Sequence, residues 1–339
     1  MKKIKIGVLC PSEIAFRRFM PALLKIDSAE FIGIAHANEE EWFGSVSSAH
    51  NLNIIDKDKE KAFNFVSTYG GKVFNSFNEI IISKEVDAIY IPLPPALHFK
   101  WAKLALLSGK HVFVEKPSTT DFNNTRELVE IANENDLAIC ENYMFIFHNQ
   151  IDAIEDLIKE NAIGKVRLFR IAFGFPFRGE KDFRYSKELG GGALLDCGGY
   201  TLKLARRLLG DSISLVTHQL NYEENYKVDI GGSATLINKQ KEVAQISFGM
   251  DNSYKCELEV WGSKGILLNE RIFTAPDTLK SIIQIKNNSI VKEIKLDEDN
   301  SFQKSIEYFI KCIFDKKTKE ESYKELLLQS TLIEQFKEE

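Results

Sequence analysis

Two positions in this sequence are suited to moving a proton: a lysine at the end of an apolar strand and a tyrosine in a glycine-rich helix start. The first lies in His111-Val112-Phe113-Val114-Glu115-Lys116-Pro117. β-Branched and aromatic residues favour a strand, and Pro117 stops its ladder just after Glu115 and Lys116. In an open α/β sheet that edge is where ligands bind. A partly desolvated lysine there can hold a proton in the range where general acids work; a solvated Lys–Glu pair is the plainer alternative. The second position closes Gly190-Gly191-Gly192-Ala193-Leu194-Leu195-Asp196-Cys197-Gly198-Gly199-Tyr200. The triple glycine permits close backbone approach. Asp196 and Tyr200 are spaced by one helical turn, which puts them on one face. Gly198 and Gly199 each cost about 1 kcal/mol in a helix relative to alanine, which points to close packing. Tyr200 is then either a proton donor to a carbonyl or a phenol capped by Asp196 in a helix contact.

A dinucleotide site belongs where the first strand turns into the first helix, normally as G-x-G-x-x-G. Here Gly7-Val8-Leu9-Cys10-Pro11-Ser12-Glu13-Ile14-Ala15 carries Cys10, Ser12 and Ala15 at the glycine positions. These small residues still admit a pyrophosphate, but Pro11 removes one amide donor. Glu13 repels the phosphates unless its side chain points away. Cys10, Pro11, Ser12, Glu13 and Ile14 are the candidate contacts. At the second strand end, Ala35-His36-Ala37-Asn38 offers no acid before Glu39. That absence leans towards NADP over NAD, with His36 and Asn38 near the 2′-phosphate. A proline-rich turn, Ile91-Pro92-Leu93-Pro94-Pro95, leads into a helix holding His98. Leu93, Pro94 and His98 are candidates for the crevice wall, with Glu115, Lys116 and Asn142 at neighbouring strand ends.

The elements that must position these residues follow from length and periodicity. A chain of 339 residues exceeds the usual size of one core, so two domains are expected. Its 44% hydrophobic and 27% charged residues are those of an ordinary globular protein. A net charge of −5 with no dense basic block argues against nucleic-acid binding. No apolar run reaches the ~18 residues of a membrane span, and the first residues read as a strand, not a leader. Five scattered cysteines without CxxC spacing predict reduced thiols, no metal site and a cytoplasmic location.

Strands are predicted at Lys3–Cys10, Phe31–Ala37, Val73–Phe74, Ala88–Leu93, His111–Glu115 and Ala138–Asn142. They alternate with helices from about Ser12 to Lys25 and at Lys59–Tyr69, Phe77–Ser83, Leu97–Ser108 and Asp121–Asn135. This alternation implies right-handed βαβ crossovers and a parallel sheet over residues 1–142. The segment 38–58 reads as a surface insertion. Residues 143–339 change pattern, with long strands at Lys165–Gly174, Ser214–Leu220, Ser233–Leu236, Glu242–Met250, Tyr254–Trp261, Gly265–Leu268 and Ser281–Ile285. Helices are expected at Gln150–Glu160, Ala193–Leu209, Phe302–Phe314 and Tyr323–Lys337. The expected fold is an α/β domain followed by an α+β domain with a large open mixed sheet, the last helices packing back on the first domain.

Together, Tyr90–His98, Val114–Pro117 and Gly190–Tyr200 resemble the Gfo/Idh/MocA family of nicotinamide-dependent oxidoreductases over nearly the whole chain. The narrower likeness is to NDP-sugar C3-ketoreductases. It rests on Gly7–Leu9 through Ile14-Ala15-Phe16-Arg17-Arg18, on Glu141-Asn142-Tyr143-Met144-Phe145, and on Phe183-Arg184-Tyr185. The resemblance implies a Rossmann domain, a second domain that often mediates oligomers, and a functional lysine at Lys116. Many members carry histidine where this chain has Tyr200, and the sugar ketoreductases and some aldose-type enzymes carry tyrosine. Those histidine members often have aspartate in place of Lys203, which argues against an inositol-dehydrogenase type. The implied activity is NADP-dependent reduction of a nucleotide-linked 3-keto-deoxy sugar in a homodimer or homotetramer, with NAD possible. Tyr200 would protonate the nascent alkoxide, Lys116 would assist, and Asp196, Phe183, Arg184 and Tyr185 would meet the substrate. A free-sugar or cyclitol dehydrogenase and a non-catalytic binding protein are the alternatives.

Overall fold

The computed structural model describes residues 3–43 and 49–337, with side chains described outside 42–54. It divides into two compact units: the chain through Asn142 with Ser305–Leu327, and Tyr143–Lys304 with the residues from Leu328 onward. The sequence reading bounds the second domain at 143–339 with the last helices packing back on the first; in the structure 305–327 clusters with the first unit.

In the first unit, β1 (Ile4–Leu9), β2 (Ala29–Ala35), β3 (Lys72–Phe74), β4 (Ala88–Ile91), β5 (His111–Glu115) and β6 (Ile139–Asn142) form one sheet. Its order is β3-β2-β1-β4-β5-β6, and every pairing is parallel. Parallel neighbours need crossovers, supplied by helices such as Pro95–Leu107 and Phe122–Glu134. Helices on both faces explain why all four residues of β4 are buried. The order reverses between β1 and β4, so their carboxyl ends flank the crevice where such sheets bind ligands. Segment 305–327 is tied to this unit by polar bonds. Lys319 Nζ donates to the Asp136 carboxylate (2.6 Å), Ser322 Oγ to the Ile139 carbonyl (3.0 Å), and the Tyr323 hydroxyl to the Leu137 carbonyl.

The segment 38–58, expected as an insertion, is helical at Glu39–Phe43 and again from the start of Ala49–Tyr69. Glu41 is buried, and its carboxylate accepts the amides of Asn38 (3.0 Å), Phe77 (2.9 Å) and Asn78 (2.8 Å). It caps its own helix and the start of Phe77–Ile82, so this part is an integral joint of the unit.

In the second unit, β7 (Val166–Gly174), β8 (Ser214–Tyr222), β9 (Asp229–Ile237), β10 (Val243–Gly249), β11 (Lys255–Gly262), β12 (Ile266–Asn269), β13 (Ile282–Asn287) and β14 (Ile290–Lys295) form a second sheet. The order is β14-β13-β12-β11-β7-β10-β9-β8. β7 and β10 pair in parallel, and the other pairings are antiparallel. Alternating burial on β10 and β11 turns one face to the core, beneath helix Gly199–Leu209. The opposite face is polar, with Arg170, Thr217, Gln219, Ser233, Gln245 and Ser247 among its side chains. Among the described residues no helix is long and apolar enough to cross a membrane.

Candidate active site

In the first unit, β1 ends at Leu9 and the chain turns at Cys10 with φ of 106°. That backbone conformation favours glycine, so the turn keeps the shape of the dinucleotide fingerprint although the residue has changed. Burial, with Asp58 adding, pushes the Cys10 thiol up to about 12, which keeps it neutral. The Ser12 amide donates to the Cys10 carbonyl (2.8 Å), and Ser12 Oγ accepts the Ala15 amide (3.2 Å). A π turn, Ala15–Phe19, follows. The Glu13 and Ile14 amides stand in the first helical turn without intrahelical partners, as an anion site requires. Glu13 points to solvent, its side chain 78% exposed and paired with Arg17 at 3.2 Å, so it does not oppose phosphate there.

Further along the sheet edge, Glu115 accepts from the Tyr90 hydroxyl (2.6 Å) and from Asn142 Nδ2 (2.7 Å). Asn142 Oδ1 in turn accepts from Ser305 Oγ (2.8 Å). Burial raises the Glu115 pKa against the pull of these donors and of Lys116. These bonds lock the ends of β4, β5 and β6 together and fix Glu115 and Asn142, both expected beside the cofactor, at the carboxyl edge of the sheet. Lys116 follows at once, half-buried and joined to Pro117 by a cis peptide. His98, also expected at the cofactor, is wholly buried. Its Nδ1 lies 2.7 Å from the Pro117 carbonyl and its Nε2 2.7 Å from the Leu93 carbonyl. Burial lowers its pKa to about 4, against the two carbonyl hydrogen bonds. The neutral ring carries one N–H, so it donates to one of these carbonyls at a time, and His98 sits wedged between the Leu93-Pro94 turn and the turn that carries Lys116.

At the end of β2, His36 is 5% exposed and its Nδ1 lies 3.1 Å from the Ala37 carbonyl. Its Nε2 and the neighbouring Glu39 Oε1 are buried without a hydrogen-bond partner. Asn38, expected beside a phosphate, accepts the Glu41 amide at 2.9 Å as a helix cap. The capping turn at Ser12, with first-turn amides that no helical carbonyl can take, and the orphaned His36 Nε2 and Glu39 Oε1 fit a dinucleotide.

In the second unit, Tyr200 is 8% exposed in an aromatic cage. Tyr143 and Phe173 meet it edge-on at 5.1 and 5.3 Å between centroids, with Phe145 at 5.5 Å and Phe273 at 5.7 Å. The cage fixes the direction of the phenol. Helix Gly199–Leu209 is entered through a π turn, Leu194–Gly198. Gly199 has to be glycine because a methyl group there would overlap the Tyr143 hydroxyl.

Asp196 is held by an arginine. Its Oδ2 accepts from Arg184 Nε at 2.7 Å, while Arg184 Nη1 donates to Asp182 at 3.1 Å. Burial disfavours the guanidinium charge, but the two carboxylates outweigh it and raise the Arg184 pKa. Phe183 is half-buried, its ring 4.6 Å beneath that guanidinium. Tyr185, expected to touch substrate, is buried and donates its hydroxyl to the Met250 carbonyl at 2.7 Å. Arg184 is thus paired with Asp182 and Asp196, and Tyr185 braces the loop.

Comparison with known proteins fixes the family. Residues 28–143 match the oxidoreductase family with an NAD-binding Rossmann fold, and residues 151–268 match the GFO/IDH/MocA C-terminal domain. The chain belongs to the GFO/IDH/MocA oxidoreductase family. It is 33% identical over 331 residues to dTDP-3,4-didehydro-2,6-dideoxy-alpha-D-glucose 3-reductase of Actinomadura kijaniata, covering 98% of this chain and 94% of that relative. The Saccharopolyspora spinosa enzyme of the same name is 31% identical over 312 residues, with 92% and 88% covered. Among solved structures, KijD10, a 3-ketoreductase from A. kijaniata in complex with NADP and TDP-benzene, superposes with a TM-score of 0.89 at 32% identity, covering 99% and 97%. An aldose-aldose oxidoreductase from Caulobacter crescentus shares the fold at 19% identity and a TM-score of 0.84, covering 99% and 97%.

This GFO/IDH/MocA oxidoreductase also contains an acid that no sequence signal singles out. Asp229 is buried at the start of β9, and its Oδ2 accepts the Leu194 amide at 2.6 Å. A side chain on Gly192, at φ 119°, would collide with it, so the triple glycine makes room for this carboxylate. Burial raises Asp229 from 3.8 to about 6, with the Leu194 and Ala193 amides opposing. A raised carboxyl pKa favours folding most below the unfolded value, and that contribution is lost as pH climbs through the folded one. Between pH 4 and pH 7 the wild type should lose on the order of 3 kcal/mol relative to Asp229→Asn. Urea unfolding at the two pH values measures it; parallel pH profiles for the two proteins would refute it.

Proposed function

We propose that this oxidoreductase reduces the 3-keto group of a nucleotide-linked deoxy sugar, using NADPH or NADH. The likeness to two 3-reductases over more than nine-tenths of the chain carries this reading. The dinucleotide would be held by the Cys10–Ile14 turn and the end of β2 at His36, and when bound in its reduced form it supplies hydride to the carbonyl carbon. Tyr200 gives its phenolic proton to the carbonyl oxygen. Lys116 assists by stabilising negative charge as it develops in the reaction, which is worth most where water is excluded. Asp196, fixed by Arg184, orients sugar hydroxyls, and Phe183 borders the substrate. The same reading makes the chain a cytoplasmic homodimer or homotetramer built on the polar face of the eight-stranded sheet, with light scattering as the check.

The test is oxidation of NADPH or NADH, followed at 340 nm, with a TDP-linked 3-keto-2,6-dideoxyhexose. Turnover on that substrate, with none on free aldoses or cyclitols, is expected. Turnover on free sugars alone would select a dehydrogenase of the aldose type instead, and absence of dinucleotide binding would contradict an enzyme altogether.

A further inference from the structure

Asp196 and Tyr200 ride on one helical run, 193–209, which opens with the π turn Leu194–Gly198. A helix start normally takes its cap from a Ser, Thr, Asp or Asn just ahead of it. Here Gly190-Gly191-Gly192-Ala193 supplies no side-chain oxygen. The cap comes from a distant element instead. Asp229, at the start of β9, accepts the Leu194 amide on Oδ2 at 2.6 Å, and the Ala193 amide also faces its carboxylate. The backbone is shaped to admit this acid. Gly192 stands at φ 119°, and a methyl group there would lie 2.4 Å from Asp229 Oδ1. The Gly192 amide is itself held by the Arg184 carbonyl at 2.9 Å.

A carboxylate at the first turn of a helix satisfies amides that have no intrahelical partner and complements the helix dipole. Because the run is continuous, whatever fixes its first turn also fixes the heading of Asp196 in that turn and of Tyr200 one turn later. Among the described residues, the titratable groups that face Asp229 are Tyr222, directly opposite on β8, and Lys337, itself bonded to Glu334 at 3.1 Å. Burial raises the Asp229 pKa to about 6, and the amides oppose it. Protonation therefore relieves the burial and, in the same step, turns one acceptor oxygen into a donor that the amides cannot use.

We propose that Asp229 is a positioning residue of the reduction, its carboxylate holding the first turn of the helix so that Asp196 and Tyr200 keep their headings. The inference rests on the role given to Tyr200 in the proposed function. The ionised acid holds the turn and the protonated acid slackens it. Activity is therefore lost on the acid side, although the same protonation favours folding.

Reduction of a TDP-linked 3-keto-2,6-dideoxyhexose by NADPH, followed from about pH 5 to pH 8, tests this with Asp229→Asn. Asparagine keeps the size of the acid but offers one acceptor and turns an NH2 towards the amides, as the protonated acid turns its hydroxyl. Wild-type kcat should fall as pH drops through about 6, whereas the variant should be about tenfold slower at the upper pH and flat across the range. Dinucleotide affinity by calorimetry should be unchanged. Hydrogen exchange over 190–198, compared at one pH, should be faster in the variant, and a cooperative thermal melt shows that it is folded. A variant with wild-type kcat, one that keeps the acid-side fall, or equal exchange over 190–198 overturns the proposal and leaves the reductase reading intact. A wild type that reduces no nucleotide sugar overturns the reductase reading and this inference with it.

Discussion

A Tyr200→Phe enzyme should keep its fold and its dinucleotide affinity and lose turnover by about 10²–10⁴-fold, the usual contribution of a positioned general acid. The substitution removes one oxygen and leaves the ring in its cage of Tyr143, Phe145, Phe173 and Phe273, so packing is preserved. The loss should fall on kcat, because the proton is needed only as charge develops on the carbonyl oxygen. Lys116→Ala should lower kcat in the same direction through loss of charge stabilisation. Single-turnover kinetics beside calorimetric cofactor binding separates the two effects. Unchanged kcat in Tyr200→Phe would remove this residue from the chemistry.

Arg184→Ala is expected to be the most damaging change to stability. The guanidinium holds two carboxylates, with Asp196 11% and Asp182 21% exposed, and its own side chain is 21% exposed. Removing it leaves two mutually repelling, largely buried anions, a loss of about 3–5 kcal/mol. The melting temperature should fall by roughly 5–15 °C. Arg184→Lys should recover only part of this, since an ammonium cannot present the fork that reaches both acids. Adding Asp182→Asn and Asp196→Asn to Arg184→Ala should restore most of the loss by removing the anions. Scanning calorimetry decides, and a drop under about 2 °C for Arg184→Ala would show that the acids are solvated.

The parallel domain was legible because its signals are local. Apolar runs such as Ala88–Ile91 end on prolines or glycines, and Pro117 marks the strand end that presents Lys116. Pairing over distance was not legible. Glu39-Glu40-Glu41 has the composition of a solvated insertion, and only the amides of Phe77 and Asn78, about 36 residues away, turn Glu41 into a buried cap. The pairing of Arg184 with Asp196, 12 residues on, has no local signal either. Asp229 reaches the Leu194 amide across 35 residues. Strand β14 was missed because nearly every residue of Ile290–Lys295 is exposed, so no apolar alternation announces it. Cys10 shows the reverse case, where the glycine conformation persists after the glycine itself has gone.

The π turn at Leu194–Gly198 makes the heading of Tyr200 a matter of counting. Such a turn accommodates one residue more than α-helical spacing, and each residue of an α-helix advances the face by about 100°. Deleting a single residue there would let the turn tighten to α and swing everything after it by that angle relative to the Gly190–Gly192 entry. The phenol would then leave its aromatic cage although no side chain in the cage had changed. A chain of this fold with one residue fewer in the turn would have to carry its proton donor at an adjacent sequence position. Chains that differ in this turn are therefore matched correctly by helix face, and an alignment by residue identity would pair the wrong side chains.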